Sequence, residues 1–285
     1  MFKSGFVAVT GLANAGKSTI INSLLQERLL ITSSKRQTTR KHVRCILTGE
    51  DYQMVLVDTP GLHQPKNKLG EFMIKEIKTA LENCDVILYI LDATRPQPIL
   101  EGTGKQPVIL ALNKTDLLSP EAVQALVEQF QEDPRFDAVI PVSALAKDNL
   151  QLLIDTVKEY LPPGDMLYPE DQLMDSNYRF LASELIREQA LMHLEEEVPH
   201  GIAVDIEEFS EGDDQARIAA SLIVERDSHK GIVIGKGGSM LKRIGQGARL
   251  EIQNLLGVPV HLKLWVKVRK NWRKDPNQLK WLGYK

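Results

Sequence analysis

The sequence predicts an α/β protein in two parts: a doubly wound, mostly parallel sheet followed by a smaller α+β module. Three patterns carry that expectation. Residues 6–9 are a short apolar run. A glycine-containing loop at 11–18 follows, then a helical stretch with Ile20, Ile21, Leu24 and Leu25 on one face. Residues 86–91 and 108–112 are unbroken apolar runs, as in parallel strands covered on both faces. Beyond residue 200 apolar and polar residues alternate, first at Ile202, Val204 and Ile206, then at Val260, Leu262, Leu264, Val266 and Val268. That period of two belongs to strands with one wetted face.

At 285 residues the chain has room for about two domains. Its 43% hydrophobic and 26% charged content suits a soluble globular protein. No apolar run approaches the ~20 residues of a membrane-spanning helix. The first strand starts too soon to leave room for a signal or transit peptide. The two cysteines, Cys45 and Cys84, lie in or beside apolar runs and read as buried reduced thiols, not as a disulfide or a metal site. The net charge of −3 hides an asymmetry. Residues 165–227 are mainly acidic, whereas between 230 and 285 thirteen lysines and arginines stand against two acids, Glu251 and Asp275. Such a block suits a polyanion partner, or a basic surface that neutralises the acidic stretch.

The loop at 11–18 fits G-x-x-x-x-G-K-[ST], the P-loop. Its glycines let successive N–H groups turn inward, and the helix start adds a positive dipole end, so a phosphate chain can be held. Lys17 is placed for the β- and γ-phosphates and Ser18 for Mg2+. Residues 31–40 are polar and aperiodic, hence a loop. Strands at 43–47 and 54–57 enclose a turn at 48–51. The second strand runs into Asp58, Thr59, Pro60 and Gly61. An acid there can hold Mg2+ through water, and Gly61 offers an unobstructed N–H to a γ-phosphate. The run at 108–112 ends in Asn113, Lys114, Thr115 and Asp116. The Asp116 carboxylate can accept both N1–H and the exocyclic N–H of guanine, a donor pair that adenine lacks. Lys114 can lay its stem along the base. Residues 139–142 lead to Ser143 and Ala144, where a backbone N–H can reach guanine O6.

Residues 11–18, Thr38 with Thr39, 58–61, 113–116 and Ser143 with Ala144 resemble the five ordered motifs of the translation-factor-related GTPases. The resemblance implies a Ras-like P-loop fold that holds GTP or GDP with Mg2+ at the carboxyl edge of the sheet. It assigns Asn14, Ala15, Gly16, Lys17, Ser18 and Thr19 to the phosphates, and Asn113, Lys114, Asp116, Ser143 and Ala144 to guanine. Ser18 and Thr39 fall to Mg2+, with Asp58 behind a water. Lys17, Thr39 and Gly61 would serve hydrolysis. Departures from the pattern are informative. Leu62 stands where Ras-like enzymes carry a water-positioning Gln, so slow intrinsic turnover is expected. Asn14 resembles a P-loop Asn that helps hold K+ near the β–γ bridge in some members; its other reading is a plain turn residue. The crossover at 92–107 is short for parallel neighbours, and rich in proline and glycine.

Residues 161–169 are dense in turn formers and read as part of a linker. The expected domains are 1–163 and 177–285, joined by 164–176. A helix capped at Asp175 or Ser176 should place Tyr178, Leu181, Leu185 and Met192 on one face. Two strands follow, and then Gly235, Lys236, Gly237 and Gly238 fit G-x-x-G at the start of a helix that stops at Gly257. Inside an α-β-β-α-α-β order, this is how a KH domain clamps about four nucleotides. Lys242 and Arg243 add positive charge. Trp265, among lysines on the last strand, can stack a base or pack against a helix.

A GTPase joined to a type II KH module is identified as a member of the Era family, the small-ribosomal-subunit assembly GTPases. Residues 37–40, 231–238, 264–268 and 282–284 carry that resemblance. It implies a cytoplasmic, monomeric switch that acts on the small ribosomal subunit. Its RNA would be single-stranded, near the 3′ end of the small-subunit ribosomal RNA. It also implies peripheral association with the inner membrane surface. The competing class is an RNA-binding KH module whose first domain holds GDP structurally, with little turnover.

Overall fold

The computed structural model describes residues 1–33, 35, 37–97, 105–212 and 214–284. The chain divides into two compact units. The first is Met1–Thr32, Thr39–Gln64 and Met73–Asp175; the second is Ser33–Thr38, Pro65–Phe72 and Ser176–Lys285.

The first unit holds β1 (Lys3–Thr10), β2 (Val43–Thr48), β3 (Tyr52–Asp58), β4 (Val86–Asp92), β5 (Val108–Asn113) and β6 (Ala138–Pro141), in the sheet order β2-β3-β1-β4-β5-β6. All neighbours are parallel except β2, which runs antiparallel to β3. The unbroken apolar runs fall where expected: Val7, Val9, Ile87, Ile90, Ile109 and Leu112 are fully buried. The helices are α1 (Lys17–Leu25), α2 (Lys68–Glu82, of which the part from Met73 onward is in this unit), α3 (Pro120–Gln131) and α4 (Leu150–Tyr160). Ile20, Ile21, Leu24 and Leu25 form the buried face of α1, as their spacing predicts. The helical pattern up to Leu30 is not followed to its end. Gln26 turns left-handed at φ 56°, and the Asn22 side chain draws the chain back. Asn22 Oδ1 accepts from the N–H of Leu29 (3.1 Å) and Leu30 (2.9 Å), and its Nδ2 donates to Leu30 O (2.8 Å). Of the short crossover at 92–107, residues 98–104 lie outside the described residues.

Residues 164–175 belong to the first unit, and their last residues, 173–175, lie along β2. Ile46 N–H donates to Leu173 O at 2.9 Å, and Asp175 N–H to Arg44 O at 3.0 Å. The buried Gln53 accepts from the N–H of Leu167 (2.7 Å) and Tyr168 (2.9 Å). Turn-rich composition suits a tether, but also an ordered strap that satisfies an exposed sheet edge.

The second unit contains α5 (Tyr178–His193), β7 (Ala203–Glu211), β8 (Ala216–Val224), α6 (Asp227–Ile234), α7 (Ser239–Leu256), β9 (Val260–Val268) and α8 (Pro276–Trp281). That is the α-β-β-α-α-β order read from the sequence, plus a final short helix. The central strand β8 pairs antiparallel with β7 and parallel with β9. Leu222 and Val224 of β8, Ile186 and Ala190 of α5, and Ile244, Ala248 and Ile252 of α7 close the core. The cap of α5 is Asn177, whose Oδ1 accepts from Phe180 N–H at 2.8 Å, not Asp175 or Ser176. The buried face is Leu181, Ala182, Ile186 and Ala190, while Tyr178 and Met192 are exposed. Thr38, in the second unit, offers its carbonyl to the guanidinium of buried Arg187 on α5.

Leu222→Ala is expected to lower stability by about 2–5 kcal/mol, since it empties a fully closed site. Leu250→Ala, on the exposed face of α7, should stay within about 0.5 kcal/mol. Chemical denaturation of the two variants checks the contrast.

Candidate functional site

The register of the first sheet assembles its site. Val9 of β1 lies opposite Asp58 of β3, so the loop after β1 and the acid ending β3 are neighbours at the carboxyl edge. The buried Thr59 hydroxyl fixes that corner by donating to Val9 O at 2.8 Å. Gly11 (φ 143°) and Gly16 (φ 100°) take backbone geometry that side chains disfavour. A Cβ on Gly11 would lie 2.2 Å from Ile90 O, and one on Gly16 would lie 2.2 Å from Asn113 Nδ2. Gly16 directly precedes α1, so the first N–H groups of that helix open on the loop.

Lys17 is buried and points back across the loop, donating to Gly11 O (3.2 Å) and Leu12 O (3.0 Å). Burial pushes its pKa down to about 8, with Asp58 pulling the other way. Burial raises the pKa of Asp58, opposed by Lys17 and by hydrogen bonds from Ser18 and Thr39. The hydroxyls of Ser18 and Thr39 both donate to Asp58 Oδ2 at 2.9 Å, and lie 3.2 Å apart. Asp58 Oδ1 is buried without a hydrogen-bond partner. Three oxygen-bearing side chains from three segments thus converge, the donor set that a hard divalent cation takes. Among the described residues no group of three or more His, Cys, Asp and Glu clusters to hold a metal without such help. A cation here would need oxygens from its ligand as well.

The residues that the sequence motifs assign to guanine are brought together too. Buried Asn113 links two loops, donating to Ala15 O (2.8 Å) and accepting from Ala144 N–H (3.1 Å). Of the two backbone N–H groups at the position expected to reach guanine O6, Ala144 donates to Asn113 and Ser143 to Asp148 O at 3.3 Å. Asp116 accepts from the Ser143 hydroxyl at 2.6 Å, which orients its carboxylate. Lys114 pairs with Asp92, and that pairing lowers the Asp92 pKa against the effect of burial. Asp92 ends β4 and was not singled out in the sequence; an acid at a strand end beside the base-reading loop is the available signal. Asn14 is left-handed at φ 66°, and Thr19 lies within the first turn of α1. Gly61 abuts the P-loop, where a Cβ would come within 2.8 Å of Ala13 Cα. Leu62 is half-buried and packs against the apolar core of the sheet.

In the second unit, Gly235 (φ 72°), Gly237 (φ 61°) and Gly238 (φ 81°) form the turn that opens α7. A Cβ on Gly237 or Gly238 would meet nothing within 4 Å, so the turn faces open space. An open groove of about 390 Å³ follows, lined by Gly238, Leu241, Lys242, Arg249, Leu262 and Leu264 among others. Lys236 is exposed at the turn. Arg249 was missed from sequence, although it follows Lys242 by seven residues, two helical turns along one face. Arg243 does not line this groove, and Trp265 stands on the other face of β9 from Leu262 and Leu264, 45% exposed.

Comparison with known proteins places both units. The model of the 50S ribosome-binding GTPase family matches residues 6–114, and that of the KH domain matches residues 197–273. The chain is 47% identical to the GTPase Era of Clostridium botulinum (strain Eklund 17B / Type B), covering 100% of this chain and 99% of that one. It is 45% identical to the GTPase Era of Clostridium perfringens strain 13, over 100% of this chain and 99% of that one. A crystal structure of Era with MgGDPNP and nucleotides 1506–1542 of 16S ribosomal RNA superposes with a TM-score of 0.93 at 40% identity, covering 100% of this chain and 99% of the other. An Aquifex aeolicus Era variant bound to GDP and AlF4− gives 0.93 at 39% identity, covering 99% of each.

If Asp116 takes guanine as its motif implies, Asp116→Asn should weaken GDP binding roughly 100-fold, because a charge-assisted acceptor pair is lost. Titration with a fluorescent guanine nucleotide reads the change.

Proposed function

The chain belongs to the Era family of GTPases, and on that premise we propose a GTP-driven switch that holds and releases single-stranded RNA. The observation that carries it is the convergence of Ser18, Thr39 and Asp58, with Lys17 behind them. These residues fit Mg2+: Ser18 and Thr39 as direct ligands, Asp58 through water. The ion, when bound, neutralises charge between the β- and γ-phosphates. The loop N–H groups and Lys17 hold the phosphates, and Asn113 with Asp116 select guanine. Water attacks the γ-phosphorus, and GDP and phosphate leave. Thr39 and Gly61 contact the γ-phosphate, so both lose a partner when it departs.

Leu62, turned into the core, cannot orient the water, so intrinsic turnover is slow. Asn14 would recruit K+ beside the β–γ bridge, in the place of an arginine finger. The partner is the small-subunit ribosomal RNA, near its 3′ end, clamped by Gly235, Lys236, Gly237 and Gly238, with Lys242 along the groove. Arg243 and Trp265 would contact RNA outside the groove. We assign the GTPase domain to 1–163 and the RNA-binding domain to 177–285, with 164–176 between them. Residues 33–38 and 65–72, which flank the nucleotide-reading Thr39 and Gly61, belong to the compact unit that carries the RNA groove, and this supports coupling. We place the protein in the cytoplasm as a monomer on the small ribosomal subunit, with peripheral membrane contact. No helix among the described residues is long and apolar enough to cross a membrane.

Lys17→Ala should abolish turnover in a phosphate-release assay; unchanged turnover would reject the phosphate assignment. Replacing Gly235 and Gly238 together by Asp should abolish binding to a 3′-terminal 16S RNA oligonucleotide and spare GDP affinity. Equal hydrolysis rates in KCl and NaCl would remove the K+ role from Asn14.

A further inference from the structure

Leu62 leaves the established reaction without the side chain that usually orders the γ-phosphate end of the site. The next residue is His63. Its Nδ1 lies 2.7 Å from Gly61 O. A carbonyl oxygen can only accept, so Nδ1 carries the proton in this contact. The same peptide is held from its other side, because Leu62 N–H donates to Gly11 O at 3.0 Å. The Gly61–Leu62 peptide is thus pinned at both polar ends, by His63 and by the P-loop. Gly61 alone would not keep one orientation, since glycine rotates freely about φ and ψ. The ring's other nitrogen, Nε2, is buried and no described protein group bonds to it, so it is open to a water or a ligand group.

We propose that His63 is a positioning residue for GTP hydrolysis: it fixes the Gly61 peptide beside the P-loop and keeps one acceptor ready for a water. His63 and the methylene-bearing Leu62 divide the work of the missing Gln, with Leu62 anchoring the segment in the core and His63 supplying its polar contacts. The inference rests on the GTPase reading above. It predicts an effect on turnover with little effect on the affinity for GDP, which lacks the γ-phosphate.

The test compares His63→Phe, His63→Gln and wild type for single-turnover GTP hydrolysis and for GDP affinity, in Mg2+ and KCl. Phe keeps the volume and loses both polar atoms; Gln keeps one donor and one acceptor. His63→Phe should slow hydrolysis about 100-fold, the scale of a misplaced reacting group. Its GDP affinity should stay within about twofold, since only contacts near the γ-phosphate are lost. His63→Gln should recover most of the rate. Hydrolysis by His63→Phe at the wild-type rate would overturn the proposal, as would a Gln variant no faster than Phe. A parallel loss of GDP affinity would also overturn it, by marking a structural role. A wild type that bound GDP but did not hydrolyse GTP would instead defeat the GTPase reading itself.

Discussion

One constraint governs the first unit: a buried carboxylate and a buried ammonium are held at the same sheet edge with too little to satisfy them. Asp58 is drawn towards neutrality by burial, and Lys17 is drawn the same way from the opposite sign. Two hydroxyls on one carboxylate oxygen soften the imbalance without removing it. Isolating such charges is costly, and a polyphosphate with a divalent cation is the kind of ligand that would offset that cost. Everything around them serves that pairing. The β1–β3 register brings loop and acid together, and the two positive-φ glycines leave room that any side chain would fill. Asn113 ties the P-loop to the loop at Ser143 and Ala144, so the ends of β1, β5 and β6 are held together.

Much of this was legible in the sequence because the parts are local. A strand, a glycine loop and a helix lie consecutively, and their chemistry follows from spacing. The same holds for the G-x-x-G turn of the second unit. What escaped was set by distant partners. Asn22 ends α1 early through contacts seven and eight residues away, which no propensity scale contains. Asn177 rather than a preceding residue caps α5, and packing against α7 and β7, not the cap, selects the buried face. The strap at 164–175 is ordered by β2 and Gln53, more than a hundred residues earlier in the chain. Arg249 and Trp265 illustrate the remaining gap. Both are exposed, and only the pleat of β9 and the face of α7 decide which one lines the groove.

The second unit shows a different economy. Its open groove is built from glycines that leave space, an apolar floor from Leu262 and Leu264, and cations from Lys242 and Arg249. Bases can lie on such a floor while phosphates meet the cations, without a code that depends on sequence alone. The strong basic excess after residue 230 is therefore divided among groove, strand and tail, not concentrated in a single patch. Residues 65–72 belong to this same compact unit by their own packing, although they follow the Gly61 turn directly in the chain.

The central claim is that the site around Asp58, Lys17 and Asp116 takes a guanine nucleotide with magnesium and refuses adenine. Isothermal titration of the purified chain with GDP and then with ADP, in the same magnesium buffer, measures this directly. The account predicts saturable uptake of one GDP per chain and no measurable heat from ADP. Absence of GDP uptake, or equal affinity for the two nucleotides, would contradict it.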